Sequence, residues 1–468
     1  MEPGPSLYER FVNANLNLTR KTTLAIIFAF LTVVLLDSVT VKLFSFSGTE
    51  PPPAVNITFF ILFSAVFSLT STILLKAVRK TVSRYEYRPR LTFRYHYAII
   101  LGTVILTLAM MILIIIQLVF LQQYSVVLLR VQTYLSHLSP IFFLAFLIFS
   151  FFKWLTVKKN AIILLYSLSL VLVCTDLVIS LIYLDSHFLS SHSTVVRPLA
   201  IVSYVISLGG STFTQSLSTA FDILSLVSFL FMWVATVALL SQFRHKMGRL
   251  KFYLLMSVPL LYYLFPFQGY YGDIFFALLV NLPVVFTVVY ILMFSATKQV
   301  GAVFFGLTFW SASTLVHDER LRKSLLFSSI GMAIIFSSVE LAPLQYRAYP
   351  PYGLVTEAYI PIGAFLLYAG IFTSAIQISR NSDLRKVFYQ SASKQLDLFK
   401  NIGISQMEKE LEERVKTIQK SSEAWETPFE SEELESENAK RIMHDVLNEL
   451  YSTKNNEEMH SKRSTEDT

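Results

Sequence analysis

The residues best suited to chemistry are four carboxylates that interrupt long apolar segments: Asp37, Asp176, Asp222 and Glu340. A charged carboxylate at the centre of a bilayer costs roughly 2.5–3.5 kcal/mol on insertion scales, so each must be neutral, paired or hydrated. Asp176 and Glu340 lie nearest the middle of their segments, whereas Asp37 and Asp222 lie closer to the ends. We therefore predict that they are candidates for an ion or proton path, with hydrogen bonding between helices as the alternative role.

A weaker candidate is a metal site in the loop that follows the segment with Asp176. Asp185, His187 and His192 stand close together there, and imidazole nitrogens suit zinc or copper. Their spacing matches no known ligand pattern. The chain also contains no phosphate-binding glycine loop, dinucleotide fingerprint, nucleophile elbow or paired-histidine zinc motif. The sequence therefore predicts neither an enzyme nor a cofactor.

The composition indicates an all-α integral membrane protein. Hydrophobic residues make up 54% of the 468 residues and charged residues only 15%, and the mean hydropathy is +0.54. The net charge of +7 combines a basic membrane part with an acidic tail. Because basic loops face anionic lipid headgroups, this charge predicts a lipid bilayer as partner and no nucleic acid.

A basic loop between two early apolar segments sets the predicted orientation. Short basic loops stay on the cytoplasmic side. The sequence therefore predicts a cell (cytoplasmic) membrane protein whose N-terminus and tail are both cytoplasmic. The loop sets the single acid Glu86 against Lys76, Arg79, Lys80, Arg84, Arg88, Arg90 and Arg94.

Apolar length predicts about ten membrane spans, with twelve as the alternative. The ten are 22–44, 57–78, 97–121, 124–155, 161–184, 220–242, 252–267, 274–315, 324–342 and 358–379. Twelve would require 198–208 to cross and 274–315 to cross twice, interrupted at Pro283 and Thr297-Lys298-Gln299. Ten spans leave more Lys and Arg residues inside, which favours that topology.

Three of the predicted cytoplasmic turns look alike. Each has a tryptophan (Trp154, Trp233 or Trp310), then basic residues, then a Leu-Leu-aromatic/Met-Ser opening of the next segment. Tryptophan and bases anchor any membrane hairpin at the interface. A duplicated two-helix unit is the other interpretation, and it would place a site where the repeats meet.

The predicted domain order is a cytoplasmic N-terminus (1–21), a transmembrane helical domain (22–379), a cytoplasmic amphipathic helix (380–420) and an acidic, largely disordered tail (421–468). The amphipathic helix carries apolar residues at helical spacing that could bind a cytoplasmic protein or a second copy of the chain. These tail candidates are Ile404, Met407, Leu411, Val415 and Ile418.

Two functions remain open at this level. A membrane sensor or assembly protein that signals through its tail ranks first, because a transporter has no need of a long charged tail. A secondary transporter or ion- or proton-coupled permease is the alternative, motivated by the carboxylates and the broken apolar segments.

Short motifs in the chain resemble a known group of proteins. They are YHYAII (95–100), QYSVVLL (123–129), MGRLKFYLLMSVPLLYYL (247–264), LRKSLL (321–326), PPYGL (350–354) and IGISQMEKELEERV (402–415). With these motifs, residues 95 to about 420 resemble a paralogous family of multi-pass membrane proteins of ammonia-oxidising archaea. The resemblance implies an archaeal cytoplasmic membrane and carries over no site residues.

Overall fold

A computed structural model describes residues 20–47, 53–82, 90–190, 195–196, 212–241, 244, 247–264, 283–339, 350–351, 353–381, 384–385 and 394–423. Within them the chain forms eleven α-helices and two short strands. The helices are α1 (Arg20–Ser47), α2 (Pro53–Val82), α3 (Arg90–Ile116, continued by a π-helical turn at Gln117–Leu121), α4 (Val126–Val157), α5 (Ala161–Ser190), α6 (Thr212–Leu240), α7 (Arg249–Leu264), α8 (Pro283–Leu315), α9 (Glu319–Ser338), α10 (Leu354–Arg380) and α11 (Lys394–Glu423).

The all-α prediction is confirmed. Each of the ten predicted apolar segments coincides with one of the helices α1 to α10 in the described part of the chain. Six of these helices, α2 to α6 and α10, are long and apolar enough to cross a membrane by length and composition. This finding supports a membrane protein, and the ten crossings remain a prediction.

One detail of the sequence prediction is wrong. Residues 283–315 form the single helix α8, with no break at Thr297-Lys298-Gln299. Pro283 is the first residue of this helix, a position where its missing N–H costs nothing because the first-turn donors have no partner within the helix. Within the described residues 283–315, the chain therefore does not turn back on itself. The other extra crossing, 198–208, lies outside the described residues.

The bundle is built around α10. The most apolar window of this helix is 94% buried, compared with 33–44% for the other five helices that could cross a membrane. It packs against α1, α2, α3, α4 and α9. Protein rather than lipid therefore surrounds α10, which explains why this helix tolerates many serine, threonine and glycine residues.

Small residues bring α9 and α10 close together. A Cβ atom added to Gly331 of α9 would overlap the backbone nitrogen of Leu367 and lie 2.7 Å from the carbonyl oxygen of Gly363. One turn or more away, Thr373 Oγ1 donates to Ser324 Oγ at 3.0 Å. Close backbone approach and hydroxyl hydrogen bonds are the usual means by which membrane helices associate.

At one end of the bundle the first half of α11 contacts the ends of three helices. Trp154 Nε1 of α4 donates to Gln406 Oε1 at 3.1 Å, and Phe309 of α8 packs on Phe399 with ring centroids 5.8 Å apart. A Cβ atom on Gly403 would overlap the side chain of Ile378 in α10. The C-terminal ends of α4, α8 and α10 therefore lie at the same end of the bundle.

At the other end of the bundle, two short strands pair. Strand β1 (Tyr124–Ser125) pairs in antiparallel fashion with β2 (Val195–Val196). Beside it, Arg130 forms an ion pair with Asp185 at 2.6 Å, and the Tyr134 hydroxyl donates to the same carboxylate at 2.8 Å. These contacts join the start of α4 to the last turns of α5.

The chain divides into two compact units, Met1–Glu408 and Lys409–Thr468, with α11 running from the first into the second. The described part of the second unit is the helical stretch 409–423. It carries the ion pairs Lys409–Glu413 and Lys416–Glu412, both between residues four apart.

The glycine contact between α9 and α10 yields a stability prediction. We expect Gly331→Ala to lower the free energy of unfolding by about 1–3 kcal/mol, because the added methyl group meets backbone atoms that cannot turn away. Thermal unfolding in detergent measures this change. Gly102→Ala in α3 is the matched control, since nothing lies within 4 Å of a Cβ atom there. Equal unfolding midpoints for the two variants would contradict the close packing.

Candidate functional site

The first part of the site is a carboxylate from α1 that caps the central helix. Asp37 is 1% exposed. Both of its carboxylate oxygens lie 3.0 Å from the backbone nitrogen of Gly353, and Oδ2 accepts a hydrogen bond from Thr356 Oγ1 at 2.6 Å. Gly353 precedes α10 with φ of 90° and offers no side chain of its own as a cap. A carboxylate from another helix therefore accepts from a backbone N–H at the start of α10 that has no acceptor within its own helix.

A second carboxylate lies within the first turn of α10. Glu357 is fully buried, and it directly follows Thr356, whose hydroxyl binds Asp37. Two carboxylates in one buried site repel each other when both are ionised. A bound proton or cation would relieve that repulsion.

The second part of the site surrounds a buried histidine on α4. His137 is 0% exposed. Its Nδ1 lies 2.8 Å from the carbonyl oxygen of Thr133, and its Nε2 lies 3.1 Å from Ser180 Oγ on α5. Both ring nitrogens are therefore hydrogen-bonded inside the bundle. Asp176, which is 1% exposed, stands one helical turn along α5 from Ser180.

A buried amide extends this histidine cluster towards α3. Gln132 Nε2 donates to Thr107 Oγ1 at 3.2 Å and to Ser136 Oγ at 2.9 Å. No hydrogen-bond donor among the described residues reaches Gln132 Oε1. Pro140 within α4 has no N–H, so the carbonyl of Ser136 lacks its helical donor.

The two parts can be related to each other through the packing of α4 against α10. Phe143 of α4 contacts Phe365 and Tyr368 of α10, with ring centroids 5.3 and 6.2 Å apart, and the C-terminal ends of both helices meet α11. The helices therefore run parallel. Counting back about three turns leads from Tyr368 to Glu357 and from Phe143 to Gln132 on the facing sides of the two helices.

We call this set of buried side chains the polar layer. It crosses the bundle from α1 through α10 and α4 to α3 and α5. Its members are Asp37, Thr107, Gln132, Thr133, Ser136, His137, Asp176, Ser180, Thr356 and Glu357, each at most 2% exposed.

The four carboxylates predicted from the sequence have different environments. Asp37 and Asp176 belong to the polar layer, and both are 1% exposed. Asp222 is exposed on α6 and is not part of the layer. Glu340 lies outside the described residues.

The weak metal candidates are not brought together within the described residues. Asp185 is held by Arg130 and Tyr134, and neither the His187 side chain nor His192 is described. The described part of the chain contains no group of three or more side chains that could hold a metal ion.

The tail candidates divide in a way that the sequence did not predict. Ile404 is 6% exposed and packed within the chain's own core, so its prediction as a partner contact is corrected: α11 docks on the bundle at this point. Met407 and Leu411 are half-buried, and Val415 is 53% exposed. The Ile418 side chain lies outside the described residues.

Several members of the layer were missed by sequence reasoning. Glu357 precedes the predicted start of its apolar segment at 358. Gln132 and His137 are not carboxylates, and the prediction of an ion path included carboxylates only. A usable signal did exist: Gln132, Ser136 and Pro140 recur at four-residue spacing, which places them on one face of α4.

Comparisons with protein-family models, with curated proteins and with solved structures find no significant match to this chain. The resemblance to the archaeal membrane family therefore stays a prediction.

The cap on α10 yields a second stability prediction. We expect Asp37→Leu to destabilise the protein by about 1–3 kcal/mol, because the Gly353 N–H and the Thr356 hydroxyl lose their buried acceptor. Asp37→Asn keeps one acceptor oxygen and should cost less than half as much. Thermal unfolding compares the two variants with Asp222→Leu, an exposed control. A stability order with Asn below Leu would contradict the capping role.

Proposed function

We propose that this protein is a secondary transporter or ion- or proton-coupled permease of the cell membrane. The observation that carries the proposal is the polar layer, which buries Asp37, His137, Asp176 and Glu357 inside apolar helices. Ionisable residues at membrane depth are costly, and those that face the interior of a bundle typically mark ion pathways and proton relays.

The central helix offers a means of coupling. Asp37 holds the first turn of α10 through hydrogen bonds that require an acceptor oxygen. A proton or cation bound beside Asp37 and Glu357 would weaken this cap by competing for the same oxygens. Release of the cap would free the start of α10, the helix that contacts most of the bundle. Ion binding and helix movement are thereby linked in the proposal.

The proposal includes ten crossings, one for each of α1 to α10. Helix α9 contains several serine residues and is therefore less apolar than its neighbours. Protein covers these residues, since 17 of its 20 residues are buried. The docked half of α11 lies at the end that carries the Trp154 turn, where Lys158 and Lys159 follow α4. The positive-inside rule makes that end cytoplasmic.

Transport through the layer can be tested directly. Purified protein in liposomes that contain pH- and cation-sensitive dyes is given an imposed gradient. We expect Asp37→Asn and Asp176→Asn to lower flux by roughly tenfold or more, because each removes a proton- or cation-binding group. Asp222→Asn, whose exposed carboxylate lies outside the layer, should transport normally. Wild-type flux in both buried variants would remove these residues from the mechanism.

The ten-span topology predicts the sides of two exposed positions. In a Cys174→Ser background, we expect an impermeant thiol reagent applied to intact cells to label Gln122→Cys, at the outer end of α3. Met247→Cys, before α7, should be labelled only after the membrane is opened. Labelling of both cysteines in intact cells would refute ten spans.

A second candidate function, signalling through the tail, is favoured by the docking of α11. The first half of α11 contacts the ends of α4, α8 and α10 at Trp154, Phe309 and Ile378. A movement of α10 would therefore displace α11. The exposed Val415 and the charged residues of 409–423 remain available to a cytoplasmic partner or to a second copy.

Two truncations separate the roles of α11. Deletion of 409–468 should leave membrane abundance and flux unchanged while abolishing any partner's copurification. Deletion of 394–468 should lower stability as well, because Phe399 and Ile402 are buried in the bundle. Abundance in membranes, flux and copurification are measured for both. Copurification of a partner with the protein that lacks 409–468 would exclude signalling through this surface.

A further inference from the structure

The hydrogen bonds of His137 fix its tautomer. A carbonyl oxygen only accepts, so the contact of 2.8 Å between Nδ1 and the Thr133 carbonyl requires a proton on Nδ1. In the neutral imidazole Nε2 is then an acceptor, and Ser180 must donate its hydroxyl proton to it at 3.1 Å. The lone pairs of Ser180 Oγ are left to face other donors.

We propose that the coupled ion is the proton and that Ser180 is a reversible hydroxyl bridge between His137 and Asp176. This inference rests on the proposed transport function and names its ion and path. When Nε2 of His137 gains a proton, it becomes a donor, and the Ser180 hydroxyl must rotate to accept from it. The Ser180 proton is then directed to a new acceptor.

Asp176 is that acceptor. We assign it this role because residues four apart on a helix are neighbours on its surface. In the transfer, the Nε2–H bond of His137 breaks as a new Oγ–H bond forms on Ser180. The former Oγ–H bond breaks as an O–H bond forms on Asp176. The imidazolium and the carboxylate both become neutral, and Ser180 is unchanged.

The surrounding charges give the path an entrance. Outward from the imidazole on α4 lie Tyr134 and Arg130, which bind Asp185 of α5 close to the end closed by β1 and β2. Glu357 faces α4 from α10 at the same depth. No titratable side chain of α3 or β1 lies at this depth among the described residues. Arg130 and Asp185 thus lie between His137 and that end of the bundle, and Asp176 lies on the opposite side of Ser180 along α5.

The tautomer and the bridge are tested by nitrogen NMR of histidine-labelled protein in lipid bilayers, with His137→Gln identifying the signal. We expect a protonated Nδ1 and a hydrogen-bonded, unprotonated Nε2 at neutral pH, and an imidazolium on acidification. Ser180→Ala should move the Nε2 resonance to that of a free imine nitrogen, and Ser180→Thr should restore it. A proton on Nε2 at neutral pH would overturn the bridge.

Proton influx into liposomes tests the transfer itself. We expect His137→Gln, Asp176→Asn and Ser180→Ala to reduce influx by roughly tenfold or more, and Ser180→Thr to retain it. Ser228→Ala is the matched control, because it removes a buried hydrogen bond between α5 and α6 of the same kind outside the path. Wild-type influx in Ser180→Ala would reject the bridge and leave transport standing. The expected NMR result without any influx would reject transport and keep the proton site.

Discussion

The interaction on which the structure depends is the capture of the start of α10 by Asp37. A helix end buried in a membrane protein must find partners for its free N–H groups, because lipid supplies none. The Gly353 N–H and the Thr356 hydroxyl both donate to a carboxylate that belongs to α1. This contact ties the first helix of the bundle to its last membrane helix, and it places a second acid, Glu357, beside the first.

The burial of α10 connects this contact to the rest of the bundle. Because α10 is enclosed by its neighbours, its polar side chains are hydrogen-bonded either to carbonyl groups of α10 itself, as Ser374 is, or to another helix. Tyr359 is hydrogen-bonded to Thr70 of α2 at 2.8 Å, and Tyr368 is hydrogen-bonded to His96 of α3 at 3.0 Å. The result is one framework of hydrogen bonds around a central helix, in which a change at the outer end can reach the docked α11.

Much of the fold could be predicted from the sequence, because apolar length and basic turns are local signals. The predicted interruption at Thr297-Lys298-Gln299 is absent, because helix α8 continues through these three polar residues. The site was less predictable. Asp37 and Glu357 are about 320 residues apart in the chain, and their proximity depends on the packing of α1 against α10, which no local pattern encodes. Ile404 was misjudged for the same reason, since its apolar face is covered by the chain's own bundle.

The central claim is that the packing of α4 against α10 brings Gln132 and Glu357, one from each half of the polar layer, next to each other. Oxidative cross-linking tests it most directly, because two cysteines form a disulfide only when their Cα atoms lie within about 7 Å. In a Cys174→Ser background, the pair Gln132→Cys and Glu357→Cys should cross-link efficiently. The pair Gln132→Cys and Phe365→Cys, on the same faces but about two turns apart in depth, should not. Cross-linking of the second pair but not the first would contradict the polar layer.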